Sequence, residues 1–409
     1  MGDRTGRTGV DRRTFLRWLA ASPLLAALPA RELAAAITDV APTRLLEALV
    51  ASAREALDVF DLQRVAQARM PPAHFGYIET GVDGERTRAN NRAALERIQL
   101  RARRLVDVSE LDTGVELFGR RWPTPLVIAP CGSQRGFHAD GELATARAAA
   151  AREHLQVLSN VSSTAVEQVN AARGEPVWFQ LYPPAAFADV RALVQRVEGA
   201  GCPVIVLTVD LNGGSNRLTL ARWSRSDARD CGTCHAPGGL ADPVKPMYRD
   251  LPAGGAIGGW SSLTWDFVAR LREVVQGRLV LKGLVTREDA ALALRHGVDG
   301  IWVSNHGGRA EPSGRATIDA LPEVVEAVGG RVPVIVDSGF RRGADLFKGL
   351  ALGADAVAVG RPYLWGLGAF GQEGVERALE ILTDELAITM GAVGTPTVDH
   401  IGPASLAPG

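Results

Sequence analysis

Eight short apolar runs recur between residues 125 and 362, and helical segments separate most of them. Each run is continuously apolar rather than alternating, which is typical of strands buried on both faces. The runs occupy residues 125–130, 156–160, 177–182, 203–210, 278–283, 300–305, 332–339 and 356–362. Eight strand–helix units in series predict the α/β class and a single (β/α)8 TIM barrel. A doubly wound sheet is the alternative, and the regular repetition of eight strands disfavours it.

Two further stretches are expected to accompany the barrel. Helical patterns at residues 44–57 and 61–70 predict N-terminal helices within a segment, 37–120, that leads into a barrel over 121–409. The interval after the fourth strand is long, and its middle is rich in Gly and Pro. We therefore expect a lid-like loop over residues 211–262.

Composition excludes several other classes of protein. The formal net charge is −1, so no overall basic field indicates a nucleic-acid partner. The chain has four cysteines in 409 residues, which is too few for a scaffold built from disulfides. After the N-terminus, no apolar run reaches the length needed to span a membrane.

The N-terminus has the pattern of an export signal. Arg12 and Arg13 precede Thr-Phe-Leu and a short stretch rich in Ala and Leu. This order predicts a twin-arginine signal over residues 1–36, with cleavage after Ala30 or Ala36, and hence a periplasmic or other extracytoplasmic location. The twin-arginine route carries folded proteins, often with the cofactor already bound. An ordinary amphipathic helix is the alternative.

Polar residues gather where the predicted strands end, which in a barrel is where the chemistry takes place. Each of them alone has an ordinary structural explanation, such as a solvated lysine, a helix cap or a core histidine. Together, all eight strands deliver hydrogen-bonding groups to one rim. These residues are Pro130, Cys131, Gly132, Ser159, Gln180, Tyr182, Thr208, Asp210, Lys282, Ser304, His306, Arg309, Asp337, Gly339, Arg341, Gly360 and Arg361.

The ends of the last two strands indicate a phosphate site. Gly339 and Gly360 permit close approach of the backbone, and Arg341 and Arg361 supply donors for an anion. Loops after strands seven and eight of TIM barrels commonly bind phosphate.

The middle of the rim indicates proton abstraction. His306 is a candidate base, and Asp210 could fix its tautomer and stabilise its protonated form. Arg217 and Arg309 could hold a substrate carboxylate, and Lys282 places a cation at the end of the fifth strand.

These motifs resemble a known family, the FMN-dependent 2-hydroxy acid oxidases and dehydrogenases. The most specific motif is SNHGGR at residues 304–309, and LVLKG, LTVD, FQLY, VDSGFRRG and GRP occur in the family's order and spacing. YIETG at 77–81 resembles the family's tyrosine-containing entry segment, and HADGE at 138–142 resembles the segment after its first strand. The resemblance extends from about residue 60 to 395.

The resemblance implies FMN as cofactor and oxidation of an (S)-2-hydroxy acid to a 2-oxo acid. It assigns His306 as general base with Asp210 as its partner, Tyr182 as a hydrogen-bond partner of the substrate hydroxyl, and Lys282 as the cation beside flavin N1. Tyr77, Arg217 and Arg309 are the implied ligands of the substrate carboxylate. Flavin and ribityl contacts are implied for Pro130, Cys131, Gly132, Ser159, Gln180, Thr208 and Ser304, and ribityl hydroxyl and phosphate contacts for Asp337, Gly339, Arg341, Gly360 and Arg361.

The resemblance also implies partners. The flavin would be reoxidised by O₂ or by an electron acceptor such as a cytochrome or quinone. Family members often form tetramers, so a homo-oligomer is expected.

Some positions depart from the family pattern. Val161 stands where several members have Trp, which leaves substrate size open. Gly132 stands where Ala is common, so we expect extra room that affects access of oxygen. Cys131 replaces a Thr or another small residue. LNGGSNR follows Asp210 in place of a continuation containing Pro and Arg.

The long loop contains a C-x-x-C-H pattern formed by Cys231, Cys234 and His235. Such a pattern can attach haem in an exported protein, but a disulfide or free thiols are the simpler interpretation. Two Cys and one His lack a clear fourth metal ligand, so we expect no metal centre. Two alternative functions follow. One is a related FMN barrel with a larger or different substrate, and the other is an exported electron-relay protein that uses this loop.

Overall fold

The computed structural model describes residues 49–211, 213–227, 245–256, 258 and 260–408. The expected export signal at residues 1–36 lies outside this part of the chain. So do Cys231, Cys234 and His235 of the expected C-x-x-C-H site.

The described chain forms a closed barrel of eight parallel strands, which confirms the predicted TIM barrel. A short antiparallel hairpin of β1 (Val115–Leu117) and β2 (Arg120–Trp122) precedes it. The barrel strands are β3 (Leu126–Ile128), β4 (Leu155–Ser159), β5 (Trp178–Leu181), β6 (Val204–Thr208), β7 (Arg278–Leu284), β8 (Gly300–Val303), β9 (Val334–Val336) and β10 (Ala356–Val359). All eight coincide with the apolar runs of the sequence.

Three of the described helices precede the barrel strands, and the others follow individual strands. The helices are α1 (Val59–Arg69), α2 (Pro72–Glu79), α3 (Arg86–Arg97), α4 (Gly141–Ala151), α5 (Val166–Arg173), α6 (Phe187–Gly199), α7 (Leu218–Ser226), α8 (Trp265–Val274), α9 (Arg287–Arg295), α10 (Thr317–Val328), α11 (Gly343–Ala351) and α12 (Arg361–Val393). Among the described helices, none is both long and apolar enough to cross a bilayer.

The barrel strands are apolar throughout because two separate cores bury their two faces. Alternate residues such as Val157, Val206 and Trp302 form one buried cluster with the β1–β2 hairpin. The residues between them, such as Leu158 and Leu207, belong to the larger cluster that includes the surrounding helices. Strands buried on both faces therefore lack the alternating pattern of a half-exposed sheet.

Strand register brings polar residues side by side at the carboxyl ends. Ser159 of β4 pairs with Gln180 of β5, and Thr208 of β6 pairs with Lys282 of β7. Parallel neighbours end at the same rim, so the polar termini of these strands lie together there.

The helix predicted over residues 44–57 is wrong for its described part. Residues 49–57 contain only a 3₁₀ turn at Ala53–Glu55. The first α-helix of the described residues begins at Val59, because the carboxylate of Asp58 accepts hydrogen bonds from the backbone N–H groups of Phe60 at 2.9 Å and Asp61 at 3.1 Å. This cap therefore starts the helix at Val59, whereas the sequence pattern predicts a helix from residue 44. The second predicted helix, 61–70, is confirmed within α1.

The connection between β6 and β7 contains the predicted loop 211–262. It includes α7, which buries none of its own side chains, and two 3₁₀ turns at Pro246–Tyr248 and Trp260–Ser262. Trp223 of α7 stacks on Phe75 with ring centroids 5.9 Å apart. Whether this connection acts as a lid stays a prediction.

The last helix, α12, bends at Phe370 and Gly371, whose backbone angles are not helical. The bend brings the two halves of the helix into close contact. A Cβ at Gly374 would overlap the carbonyl group of Gly366, and a Cβ at Gly366 would overlap that of Gly374. Glycine at both positions is therefore required for this packing.

Replacing Gly374 by Ala is expected to lower the free energy of unfolding by about 1–3 kcal/mol, because backbone must move to admit the methyl group. Gly391→Ala in the same helix is the control. Its Cβ would have its nearest atom, Leu111 Cδ1, 3.9 Å away. That variant should be neutral or more stable by up to about 1 kcal/mol. Urea unfolding measures both, and equal effects of the two substitutions would contradict the close contact of the helix halves.

Candidate active site

The polar residues at the strand ends surround one cavity of about 1210 Å³, measured with its open mouth. The predicted residues that line it are Tyr77, Pro130, Cys131, Gly132, Ser159, Tyr182, Arg217, Lys282, His306, Arg309, Asp337, Gly339, Arg341, Gly360 and Arg361. Gln180, Thr208, Asp210 and Ser304 do not line it, and their side chains are almost fully buried around it.

His306 lies directly after β8, in a backbone conformation with φ of 59°. Its backbone N–H donates to Ser304 Oγ at 3.1 Å, and the N–H of Gly307 donates to Ser338 Oγ at 2.9 Å. These bonds hold the left-handed turn that a side chain with a Cβ rarely adopts. The turn directs the imidazole into the cavity.

The imidazole of His306 is oriented by Asp210 at the end of β6. His306 Nδ1 lies 2.9 Å from Asp210 Oδ1. Burial alone would raise the pKa of Asp210, but His306 and Lys282 outweigh it and lower that pKa, so the carboxyl is ionised. An ionised Asp210 accepts the hydrogen of Nδ1 and leaves Nε2 as the proton acceptor.

Burial lowers the pKa of His306, and the nearby carboxylate of Asp210 offsets this only in part. His306 is consequently neutral at physiological pH, as a general base must be. On its other side, the hydroxyl of Tyr182 lies 3.3 Å from His306 Nε2. Burial and the charge of Asp210 raise the pKa of Tyr182 well above its ordinary value, so the phenol keeps its proton and can donate it in a hydrogen bond.

Lys282 is a buried cation at the end of β7. Its Nζ donates to Ser304 Oγ at 2.8 Å and lies 3.4 Å from Asp337 Oδ2 and 3.9 Å from Asp210 Oδ2. Burial lowers the pKa of Lys282, but the carboxylates of Asp337 and Asp210 more than compensate and the net shift is upward. The cavity therefore has a permanent positive charge at this point.

Tyr77 lies between two arginines. The guanidinium carbons of Arg217 and Arg309 are 4.8 Å and 4.7 Å from the centre of the Tyr77 ring. Burial raises the pKa of Tyr77, but Arg309 and Arg217 outweigh it, and the net shift is downward. Burial and the charge of Arg309 lower the pKa of Arg217 to about 9.

The two arginines beside Tyr77 lack an acidic partner in the described part of the chain. The ion pairs found there include neither of them, and the Nε atoms of Arg217 and Arg309 are buried without an acceptor. Two adjacent guanidinium groups repel each other and are stabilised by an anion with two oxygens. This side of the cavity is suited to a substrate carboxylate.

A second pair of arginines lies at the ends of β9 and β10. Burial, with the charge of Arg361, lowers the pKa of Arg341 to about 9, and burial lowers that of Arg361 to about 10. Arg361 donates to the carbonyl oxygens of Ile78 at 2.9 Å and Gly307 at 2.9 Å, and not to a carboxylate of the described chain.

Gly339, beside these arginines, has φ of 97°, and a Cβ there would lie 2.7 Å from the carbonyl oxygen of Asn91. The strand end therefore passes the cavity at a point where a side chain does not fit. Backbone that lines the cavity and two buried cations fit the phosphate of FMN.

Near the carboxyl ends of β5 and β6, two buried donors have no hydrogen-bond partner among the described residues. They are Gln180 Nε2 and Thr208 Oγ1, on neighbouring strands. Ser159 Oγ donates to Gln180 Oε1 at 2.8 Å, so the amide nitrogen of Gln180 is the free end. Buried donors normally find partners. Together with Lys282 they fit the polar edge of a flavin ring.

The expectation of extra room at Gly132 is wrong, because Val161 occupies that space. A Cβ on Gly132 would lie 2.5 Å from Val161 Cγ2 and 2.8 Å from the Val161 carbonyl oxygen. The loops after β3 and β4 approach each other here, and the backbone N–H of Ser133 donates to the Val161 carbonyl at 3.1 Å. The smaller residue at 132 therefore allows close packing of two loops.

Sequence reasoning missed Trp260, which lines the cavity from the end of the β6–β7 connection. Its ring centroid lies 4.9 Å from that of Tyr182. A tryptophan in a Gly-rich stretch was the available signal, but the sequence does not tell which strand end such a loop residue reaches.

Replacing Gly132 by Ala is expected to lower the melting temperature and to reduce the free energy of unfolding by about 1–3 kcal/mol, because the added methyl group overlaps Val161. The double variant with Val161→Ala removes the opposing methyl groups and should recover part of that loss relative to the sum of the two single variants. Thermal unfolding of the four proteins tests this coupling. Strictly additive effects would contradict the contact.

Comparison with known proteins agrees with this geometry. Residues 66–408 match the model of the FMN-dependent dehydrogenase family. The chain is 39% identical over 372 residues to an L-lactate oxidase of Lysinibacillus sphaericus, covering 87% of this chain and 94% of that protein. It is 37% identical over 352 residues to a peroxisomal (S)-2-hydroxyacid oxidase of Arabidopsis thaliana, covering 84% of this chain and 94% of that protein.

Solved structures agree with the sequence relatives. A lactate oxidase of Pediococcus acidilactici superimposes with a TM-score of 0.78 at 33% identity, over 86% of this chain and 94% of that one. A mandelate oxidase superimposes with a TM-score of 0.75 at 37% identity, over 86% of this chain and 98% of that one. With its barrel, its two arginine pairs and its orphaned donors, this chain is a member of the FMN-dependent dehydrogenase family, and its cofactor is FMN.

Proposed function

We propose that this protein oxidises an (S)-2-hydroxy acid to the corresponding 2-oxo acid with FMN as cofactor. The observation that carries the proposal is the imidazole of His306, which is held by Asp210 and faces Tyr182. The same cavity contains arginines that have no carboxylate partner among the described residues. A base, a hydrogen-bond donor and a carboxylate site are the groups that this reaction requires.

The chain's own residues would act as follows. Arg217, Arg309 and the Tyr77 hydroxyl hold the substrate carboxylate, which orients C2 and its hydroxyl group. His306 Nε2 accepts a proton, whether the hydrogen on C2 leaves as a hydride or as a proton. Asp210 stabilises the imidazolium that forms.

FMN, when bound, supplies the acceptor for the two electrons that leave C2. Lys282 is the buried cation that would stabilise the negative charge added to the cofactor. Gln180 Nε2, Thr208 Oγ1 and the Lys282 ammonium would hold the ring, and Arg341 with Arg361 would hold the phosphate.

The oxidant of the second half-reaction is O₂ or an electron-transfer partner such as a cytochrome or quinone. Relatives named oxidase and relatives named dehydrogenase both match, and an L-lactate dehydrogenase of Haemophilus influenzae is 36% identical over 369 residues. Assembly as a homotetramer is supported by the family resemblance alone.

We further propose that the protein is exported by the twin-arginine route. The support is the order of features in residues 1–36, with Arg12 and Arg13 before a short apolar stretch. An electron relay through haem at Cys231 and Cys234 is the second candidate role of an exported chain. Its motif lies in the long loop, and a haem absorption band in the purified protein would support it.

His306→Gln is expected to keep FMN bound and to lower the rate of flavin reduction by a 2-hydroxy acid by about 10²–10⁴-fold, because no base remains to accept the proton. Anaerobic stopped-flow absorption measures the rate, and the flavin content of the purified variant controls for loss of cofactor. Reduction at a near wild-type rate would contradict the assignment of His306 as base.

The pH dependence follows from the pKa of His306. Burial lowers that pKa below its ordinary value of about 6.5, so the neutral base persists into mildly acidic solution. The second-order rate constant of flavin reduction should therefore be level at neutral pH and fall only in acid.

Asp210→Asn removes a carboxylate that raises the pKa of His306. The acid limb should move to lower pH, and the plateau should fall by about 10²-fold or more, because the tautomer is no longer fixed. An acid limb that moves to higher pH would contradict this.

A further inference from the structure

We propose that this active site selects 2-hydroxy acids with a large apolar substituent on C2, and that Trp260 is the specificity-determining residue. The inference rests on the proposed function, because it names the substrate class of the same cavity. It begins from an aromatic side chain that the reaction itself does not require.

Trp260 presents hydrocarbon to the cavity. Its indole N–H already donates to the carbonyl oxygen of Pro183 at 3.1 Å, so its polar atom is used outside the substrate space. Its ring packs on Tyr182, with centroids 4.9 Å apart, and Tyr182 faces the base His306. An apolar surface therefore lies beside Tyr182, the side chain that faces the base.

The segment that carries Trp260 is tied to the barrel. Asp189 of α6 is fully buried, and its two carboxylate oxygens accept the backbone N–H groups of Ala253 at 2.6 Å and Gly255 at 2.9 Å. The backbone N–H of Ala185 donates to the carbonyl oxygen of Ala256 at 2.9 Å. With the bond from Trp260 to Pro183, four hydrogen bonds fix this segment against α6 and the loop that precedes it. A surface fixed in advance binds a ligand without an ordering cost.

The rest of the cavity lining determines which part of the substrate meets Trp260. Arg217 and Arg309 are suited to the carboxylate, and His306 with Tyr182 to the hydroxyl. The C2 substituent is then the only part of the acid that lacks a polar partner, and Trp260 adjoins the hydroxyl site through Tyr182.

Val161 supports a large substituent. It lines the same cavity as Trp260, and its side chain is smaller than the Trp that several family members have at this position. An aryl or long alkyl group gains free energy by burial in proportion to its apolar area, whereas the hydrogen of glycolate gains none. The observed lining therefore favours a bulky acid over a small one.

Anaerobic flavin reduction tests the inference with four acids: (S)-mandelate, (S)-2-hydroxyoctanoate, (S)-lactate and glycolate. The wild-type holoenzyme is expected to be reduced by the first two with a second-order rate constant about tenfold or more above that for glycolate. Trp260→Leu should lower the constants for the bulky acids by about tenfold and leave that for glycolate within about twofold.

Trp265→Leu is the matched control. Trp265 stacks on the His296 ring at 5.3 Å and does not line this cavity, so its loss should leave the order of the four acids unchanged. Val161→Phe is the second variant, in case Trp260→Leu does not fold. It fills the space beside the substrate and should lower the rate constants for the bulky acids alone.

The outcomes separate the two proposals. Faster reduction by glycolate or lactate than by the bulky acids in the wild type, or a uniform fall for all four acids in Trp260→Leu, would overturn the inference and leave the proposed function intact. A flavin that none of the acids reduces, including lactate and glycolate, would instead contradict the proposed function.

Discussion

The active site depends on a group of buried charges that are paired with one another at the carboxyl ends of three strands. Lys282 lies between Asp337 and Asp210, and Asp210 in turn holds His306. A buried charge without a partner is costly, so each member requires the others. The position of Lys282 thereby helps to keep Asp210 ionised, and an ionised Asp210 fixes the tautomer of His306. The tautomer of the catalytic base therefore depends on the buried charges at the barrel rim.

The arginines of the cavity, in contrast, are not paired with carboxylates of the described chain. Arg217 and Arg309 beside Tyr77, and Arg341 and Arg361 at the last two strands, are substantially buried and have no carboxylate partner within the described chain. Carboxylates of the described chain do not compensate these charges, whereas bound anions can do so. In the proposed reaction, one pair would hold the substrate carboxylate and the other the phosphate of FMN. The charges of the described chain therefore favour two anionic groups in the cavity.

Much of the fold could be predicted from the sequence, because strands buried on both faces are continuously apolar and recur at regular intervals. The polar ends of these strands could be assigned to one rim for the same topological reason. Closeness between loops could not be predicted. The contact between Gly132 and Val161, and the reach of Trp260 to Tyr182, depend on how loops after different strands pack. The helical pattern at 44–57 failed over its described residues, 49–57, where the cap formed by Asp58 starts the helix only at Val59.

In the proposed reaction, a 2-hydroxy acid bound in the barrel cavity becomes a 2-oxo acid, and the flavin accepts the two electrons. A single-turnover experiment tests it most directly. The FMN-loaded protein is mixed without oxygen with a substoichiometric amount of an (S)-2-hydroxy acid, and both the bleached flavin and the 2-oxo acid are quantified. Equal amounts of reduced flavin and 2-oxo acid are expected. Bleaching without 2-oxo acid, or a flavin that stays oxidised with every 2-hydroxy acid, would contradict it.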